Sequence, residues 1–338
     1  MMPVMQFDEA VEAGLAAAME ADERVVTFGE DVRLIRRNLY VRFGGGRVRN
    51  APISESAFLG AAVGAAMAGL RPVVEIMMVD FLGVCFDALL NEAAKIEAFS
   101  GGRWKVPMVV RTACGGGYGD GGQHEQCLWG LISGIPGLSV VVPSNPADAA
   151  GLMISAVQHE SPVVYMDHKL LTSYWLDWLG GDSRNTVSFD VPAAGAEGEV
   201  PQPISPVPLG KSATVREGDH LVMISLGVSV HRCLEAAETL AADDVQSTVI
   251  DLRSVSPLDT EAVLEAARRT GRVLVVDEDY LGFGLSGEIA ARLWEAGVQA
   301  RFARVATEGT IPFARNLEDE TLPNVKRIVT AAASLMRS

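Results

Sequence analysis

Short, unbroken apolar runs alternating with helix-length patterns are what most constrain this chain. Val25–Phe28, Val73–Met77, Met108–Arg111, Leu138–Val142 and Val163–Met166 are strand-length segments without the in-out pattern of a half-exposed sheet. Between them Ser56–Gly69, Phe81–Phe99, Cys127–Ser133 and Pro146–His159 read as helices. Strands apolar on both faces and separated by helices form a parallel sheet covered on both sides. The last helix is well signalled, because Ser144 or Asn145 can cap it and Pro146 fits its first turn.

The alternation stops between Gly180 and Gly210, a stretch holding five of the 16 prolines (Pro192, Pro201, Pro203, Pro206 and Pro208). Such a segment cannot supply a sheet interior and reads as a linker. Alternation resumes with Leu221–Leu226, Ser247–Asp251, Val273–Asp277, Arg301–Val305 and Arg327–Val329, separated by helical stretches such as Val230–Ala241 and Thr260–Thr270. The expected fold class is therefore α/β, with two doubly wound domains over residues 1–180 and 212–338 joined by a linker over 181–211. A chain of 338 residues has room for both.

Charge narrows the function. Lys plus Arg total 28 against 43 Asp plus Glu, a net charge of −15. Nucleic acid and anionic membranes both require a positive footprint, so neither is an expected partner. Cys85, Cys114, Cys127 and Cys233 are widely spaced and make no zinc pattern, which reads as reduced thiols in a cytoplasmic protein. The N-terminal residues are acidic where a secretion signal would be basic. Ala57–Leu70 is uncharged for 14 residues, shorter than a membrane span of ~20, and reads as a buried helix.

Several motifs compete for the chemistry. Gly282-Phe283-Gly284-Leu285-Ser286-Gly287 matches a dinucleotide fingerprint, with Glu308 downstream. Asp277-Glu278-Asp279 stands between it and the strand and would repel a pyrophosphate, so a tight turn before a helix is the ordinary reading. Gly119-Asp120-Gly121 with Asn145 has the look of a magnesium–diphosphate motif, but it lies inside a glycine-rich loop rather than at a strand end. Gly60, Gly64 and Ala68 give the apolar helix a small face for close packing. Glu55 opens that helix with no cation in the next dozen residues; a carboxylate favoured by the helix dipole, beside a Ser54 cap, is the ordinary account. His124 ends the loop beginning at Gly115 and is followed by Glu125 and Gln126, a candidate for acid–base work. On residue patterns alone the function stays open.

Taken together, Gly29-Glu30-Asp31-Val32, Arg47 to Glu55, Gly69 to Glu75, Asp80-Phe81, Gln123-His124-Glu125-Gln126, Ile135-Pro136-Gly137-Leu138, Val142 to Pro146, Pro208 to Lys211, Asp251 to Asp259 and Val276-Asp277-Glu278 make the chain resemble a known family. It is similar to the beta subunit of the thiamine-diphosphate-dependent first component of 2-oxoacid dehydrogenase complexes, including acetoin-type members. The resemblance covers almost the whole chain and implies a pyrimidine-binding domain followed by a transketolase C-terminal-type domain. It implies that Glu55 hydrogen-bonds the cofactor's aminopyrimidine, that Phe81 packs near that ring and that Glu30 is an acid close to Glu55. His124 would serve proton transfer or acyl passage to lipoamide.

The same resemblance places thiamine diphosphate across an interface with an alpha subunit that holds the magnesium, so no metal residue is expected here. It further implies an α2β2 heterotetramer and docking onto a lipoyl acyltransferase core. Two departures stand out: the segment between Val32 and Arg47 is short and carries Arg33, Arg36 and Arg37, and the proline-rich stretch is long. A split transketolase-like pair, a scaffold that has lost its chemistry and a nucleotide-binding dehydrogenase are the competing readings. The role of Arg111 stays open.

Overall fold

Periodicity within the strands shows how the first domain is covered. In the computed structural model, which describes residues 2–175 and 191–337, fourteen strands are named in chain order. They are β1 (Val4–Gln6), β2 (Val25–Glu30), β3 (Val48–Ala51), β4 (Arg71–Met78), β5 (Val109–Cys114), β6 (Ser139–Val141), β7 (Val163–His168), β8 (Glu197–Glu199), β9 (Ala213–Arg216), β10 (Leu221–Ser225), β11 (Ser247–Asp251), β12 (Ser254–Ser256), β13 (Arg272–Tyr280) and β14 (Arg301–Thr307). Val73, Val109, Val163 and Tyr165 point to one face, into a core with the helices Phe7–Ala21 and Pro146–Gln158. Val74, Val110, Val164 and Met166 point to the other, against the helix Glu55–Met67 and the segment through Ala94. Both faces are buried, so the strand sequences are apolar throughout.

The first sheet runs β12-β6-β7-β5-β4-β2-β3 and is parallel except at β12–β6. The second runs β14-β13-β10-β11-β9, parallel except at β11–β9. Strand β12 comes from beyond the linker yet completes the first sheet, with Ser254 opposite Val141. One apolar core continues from the first sheet into the second, joining Val140 and Val164 to Ile224, Ile250 and Val275. The two halves therefore share a core rather than meeting at a wet joint.

Several expectations are corrected. Arg327–Val329 is not a strand but lies in the helix Val325–Arg337, whose Ile328, Ala332 and Leu335 recur at helical spacing on its buried side. Phe81–Phe99 is not one helix. A 3-10 segment (Val79–Val84), a π-helical one (Ala88–Ala93) and the helix Ile96–Phe99 replace it, Gly83 being a poor helix former. The expected helix from Cys127 begins at Trp129, and an unexpected one, Phe7–Ala21, precedes the first strand.

Residues 181–190 of the expected linker lie outside the described residues. The remainder packs on the first domain: β8 pairs with β1, and the Val207 N–H donates to Gly151 O at 3.1 Å. Among the described residues no helix is long and apolar enough to cross a membrane.

Helices Phe7–Ala21 and Pro146–Gln158 touch through Gly14, where an added Cβ would stand 2.4 Å from the Ala150 carbonyl oxygen. In an open helix Gly→Ala gains about 1 kcal/mol. Here Gly14→Ala is expected to lose about 1–3 kcal/mol through overpacking, read as a lower Tm and urea midpoint.

Candidate active site

Where consecutive crossovers leave a strand in opposite directions, a parallel sheet opens a crevice at its carboxyl edge. Strand β2 has β3 on one side and β4 on the other, so its end is such a point. Glu30 is the last residue of β2, in register with Ala51 at the end of β3. Glu55 begins the helix after β3, Asp80 and Phe81 follow β4, and His124 sits on the loop after β5. The sheet thus gathers Glu30, Glu55, Phe81 and His124 from four separate connections.

Contacts tie these positions together. The Phe81 and His124 rings meet edge to face, with centroids 5.9 Å apart. The Cys85 thiol reaches the Phe81 carbonyl at 3.7 Å. Burial, with the Glu55 charge behind it, pushes that thiol up to about 12, so Cys85 is neutral and no nucleophile. Glu30 is raised by desolvation first, then by the charges of Asp31 and Glu55. Ser54 makes no capping hydrogen bond, contrary to the ordinary account of this helix start. Among the described residues the Glu55 carboxylate has neither hydrogen bond nor ion pair.

Around His124 the polar groups are buried and partly unsatisfied. Among the described residues His124 Nδ1 and Asp80 Oδ2 have no hydrogen-bond partner. Asp80 Oδ1 accepts from Gln126 Nε2 at 2.6 Å, and the Tyr280 hydroxyl donates to Gln126 Oε1 at 2.8 Å. Lys169 is fully buried and donates to the His124 carbonyl, with its ammonium over the Tyr118 ring. Burial lowers its pKa against the opposing pull of Asp80 and Glu125.

The glycine-rich loop has its amides already engaged. Gly116 N–H donates to Glu278 at 2.9 Å; Gly117 and Gly119 donate to Glu318; Tyr118 and Gly121 donate to Glu125. Amides that could cradle a diphosphate thus hold the protein's own carboxylates. Asn145 caps its helix, accepting from Asp148 N at 3.0 Å, as the sequence suggests. At the other fingerprint the helix start after Gly284 is filled by Asp277, which accepts from the Ser286 N–H at 3.1 Å, and Asp279 accepts from Gly130 N–H. Both motifs are internal structure.

Arg111 lies within β5 and does not reach the loop. It pairs with Asp167 at 2.6 Å and approaches Glu75 at 3.8 Å, while Arg36 forks onto Glu75 at 2.9 Å. Arg36 thus turns inward from the short segment after β2, whereas Arg33 stays exposed over Tyr40 and Arg37 faces solvent.

Glu125, Glu278, Glu318 and Lys169 are the residues that sequence reasoning missed. Glu278 is the clearest case. Burial alone would raise its carboxyl, but hydrogen bonds from His168 at 2.9 Å, Arg232 at 3.1 Å and Gly116 hold it at about 2. His168 Nδ1 accepts from Leu170 N–H, which leaves Nε2 as the donor to Glu278. Cys127, His168 and Glu278 place three donor atoms within 4.8 Å of one another, but Arg232 and the imidazole already satisfy the carboxylate. Gly115 is fixed by this contact, since an added Cβ would lie 2.0 Å from His168 Nε2.

A crevice at the switch point of one doubly wound domain, with a second α/β domain built into its histidine loop, defines a transketolase-type cofactor module. The family model "Transketolase, pyrimidine binding domain" matches residues 4–173, and "Transketolase, C-terminal domain" matches 210–328. The chain belongs to this family, among the beta subunits of 2-oxoacid and acetoin dehydrogenases. It is 36% identical to the acetoin:2,6-dichlorophenolindophenol oxidoreductase subunit beta of Cupriavidus necator, over 97% of this chain and 96% of that one. It is also 36% identical to the 2-oxoisovalerate dehydrogenase subunit beta of Bacillus subtilis, over 99% of each. Identity to the pyruvate dehydrogenase E1 component subunit beta of Staphylococcus epidermidis is 35%, again over 99% of each. A solved structure described as a split-gene transketolase, inactive beta4 tetramer, matches with a TM-score of 0.79 over 98% of both chains. At 21% identity that likeness concerns the fold.

Removing Glu278 would leave Arg232 buried without its carboxylate. Glu278→Ala is expected to cost about 3–5 kcal/mol in urea unfolding. A carboxyl depressed in the fold stabilises above its unfolded pKa of ~4.3 and loses that contribution as pH falls. Wild-type stability should therefore drop between pH ~4.3 and the folded value of about 2, a fall that Glu278→Gln lacks.

Proposed function

We propose that the chain is the beta subunit of a thiamine-diphosphate-dependent 2-oxoacid or acetoin dehydrogenase. It would cleave the bond beside a carbonyl and pass the acyl group to lipoamide. The observation that carries this reading is the Glu55 carboxylate at the crevice, without a partner among the described residues, beside Glu30 and linked through Cys85 and Phe81 to His124. Glu55 is half-buried, so its carboxylate is both accessible to a ligand and partly withdrawn from water, where a donor hydrogen bond gains strength. The residues fit an aminopyrimidine: Glu55 offers an acceptor for a ring nitrogen, Phe81 an aromatic surface, and His124 an unpaired Nδ1.

When bound, the cofactor supplies a stabilised carbanion equivalent for carbon–carbon cleavage. Glu55 would hold a proton-sharing hydrogen bond to the pyrimidine, strengthened by its partly buried setting. Glu30, its carboxyl raised by desolvation and by neighbouring Asp31 and Glu55, would stand beside Glu55 as the second acid of the crevice. His124 would give or take a proton at its ring nitrogen during acyl passage.

The relatives' names as beta subunits support an alpha partner, and we assign the diphosphate and magnesium to that subunit in an α2β2 heterotetramer. The engagement of the glycine-loop amides by carboxylates agrees with this division. A lipoyl acyltransferase core is the proposed acceptor assembly, with the acidic chain suited to a basic binding domain.

Isothermal titration of thiamine diphosphate with magnesium should show tight binding to the co-expressed pair and none to the chain alone. Tight binding to the chain alone would refute the shared site. In the assembled complex, Glu55→Ala and His124→Ala are each expected to lower kcat by about 10²–10⁴-fold, measured with an artificial electron acceptor.

A further inference from the structure

A loop as rich in glycine as Gly115–Gly122 loses more conformational entropy on ordering than any other composition. It presents His124 in a defined place only if something outside the loop holds it. The amides of Gly117 and Gly119 donate to Glu318 at 2.7 and 3.0 Å. Those of Tyr118 and Gly121 donate to Glu125 at 3.2 and 2.8 Å. The chain achieves this alternation by placing Gly117, Gly119 and Gly121 at φ +119°, +73° and +75°. Glu125 and Glu318 are both fully buried and interleave on alternate amides of one loop, with Glu318 Oε1 and Glu125 Cβ 3.4 and 3.5 Å from where a Cβ on Gly116 would stand. One comes from the loop; the other comes from the helix Arg315–Thr321 of the C-terminal domain.

We propose that Glu318 is a positioning residue for His124: with Glu125 it forms a proton-sharing carboxyl pair on which the glycine-rich loop is folded. The inference rests on reading His124 as an acid–base residue. Two carboxyl groups can hydrogen-bond each other only if one keeps a proton. Arg315 donates to Glu318 Oε2 at 3.2 Å but is shared with Asp319, so the pair is not fully neutralised. Asp120 and Tyr118 face it from the loop, Lys169 from the segment after β7, and Glu278 through Gly116.

Burial first, then the hydrogen bond and charge of Glu318, push the Glu125 carboxyl up to about 8. A carboxyl raised in the fold stabilises below its unfolded pKa and loses that contribution as pH rises through the folded value. The order this proton gives the loop should therefore be lost progressively as pH rises from ~4.3, with the last of it gone around pH 8. Since Glu125 adjoins His124, loosening it displaces the imidazole.

The test is amide hydrogen exchange of residues 115–126 in the full chain, corrected for intrinsic rates. Wild-type protection should fall by about tenfold between pH 7 and pH 9. Glu318→Ala should already lack it at pH 7, whereas Glu318→Gln, which gives up one amide acceptor for a permanent N–H toward Glu125, should have lower protection than wild type at pH 7 but show no fall between pH 7 and pH 9. In the assembled enzyme Glu318→Ala should lower kcat by about tenfold or more with cofactor affinity within about threefold. Glu318→Gln should recover part of kcat and move the alkaline limb upward. The proposal fails if Glu318→Ala leaves protection and kcat unchanged, or if Glu318→Gln loses protection with pH as wild type does. Should Glu318→Ala not fold, the comparison of Glu318→Gln with wild type decides alone. A loosened loop with full activity, together with a fully active His124→Ala, would overturn the reading of His124 and leave the pair standing.

Discussion

Buried carboxylates accepting backbone amides hold this molecule together at its functional centre. Glu278 and Glu318 reach from the C-terminal domain into the loop after β5, and Glu125 meets them from within it. Each carboxylate has exchanged water for N–H groups, and a buried anion is tolerable only when its lone pairs are so matched. The loop in turn would have no defined shape without acceptors for its amides. Neither half is complete alone, so the histidine of one domain is placed by the acids of the other.

The shared core has the same consequence at larger scale. Strand β12 crosses into the first sheet, and apolar side chains run without a break from Val164 to Val275. Burial on this scale makes the two domains one mechanical unit, in which a shift of the helix Arg315–Thr321 is felt at Gly117 and Gly119. The crevice at the end of β2 lies on the rigid edge of that unit. Glu55 stands there close enough for Glu30 to feel its charge, and among the described residues the Glu55 carboxylate makes no hydrogen bond or ion pair.

Much of this was legible in the residues. Unbroken apolar runs alternating with helices specify doubly covered parallel strands, because the helices are at hand to hide both faces, and the motifs around Glu55 and His124 specify a family. Legibility failed where a local pattern had two solutions. Arg327–Val329 is apolar enough for a strand, and only the spacing of Ile328, Ala332 and Leu335 over a longer window reveals the helix. Gly119-Asp120-Gly121 offers amides to any anion, and the sequence does not say that the anion is a glutamate some 200 positions away. Asp277-Glu278-Asp279 was legible as a reason against a pyrophosphate, but not as three buried acceptors with separate donors.

The sequence by itself determined the fold class, the alternation within each half and the family, all of which follow from short-range periodicity and ordered motifs. The tertiary structure decided which acids serve which donors. Glu125, Glu278 and Glu318 are ordinary surface-type residues by composition, and only their burial against glycine amides makes them structural. It also decided that Arg111 and Arg36 pair with Glu75 and Asp167, in a small cavity that Glu30 also lines. The physical reason is the same in each case: the energy of a charge is set by its distance to partners and its distance from water. Neither quantity exists until residues far apart in the chain have been brought together.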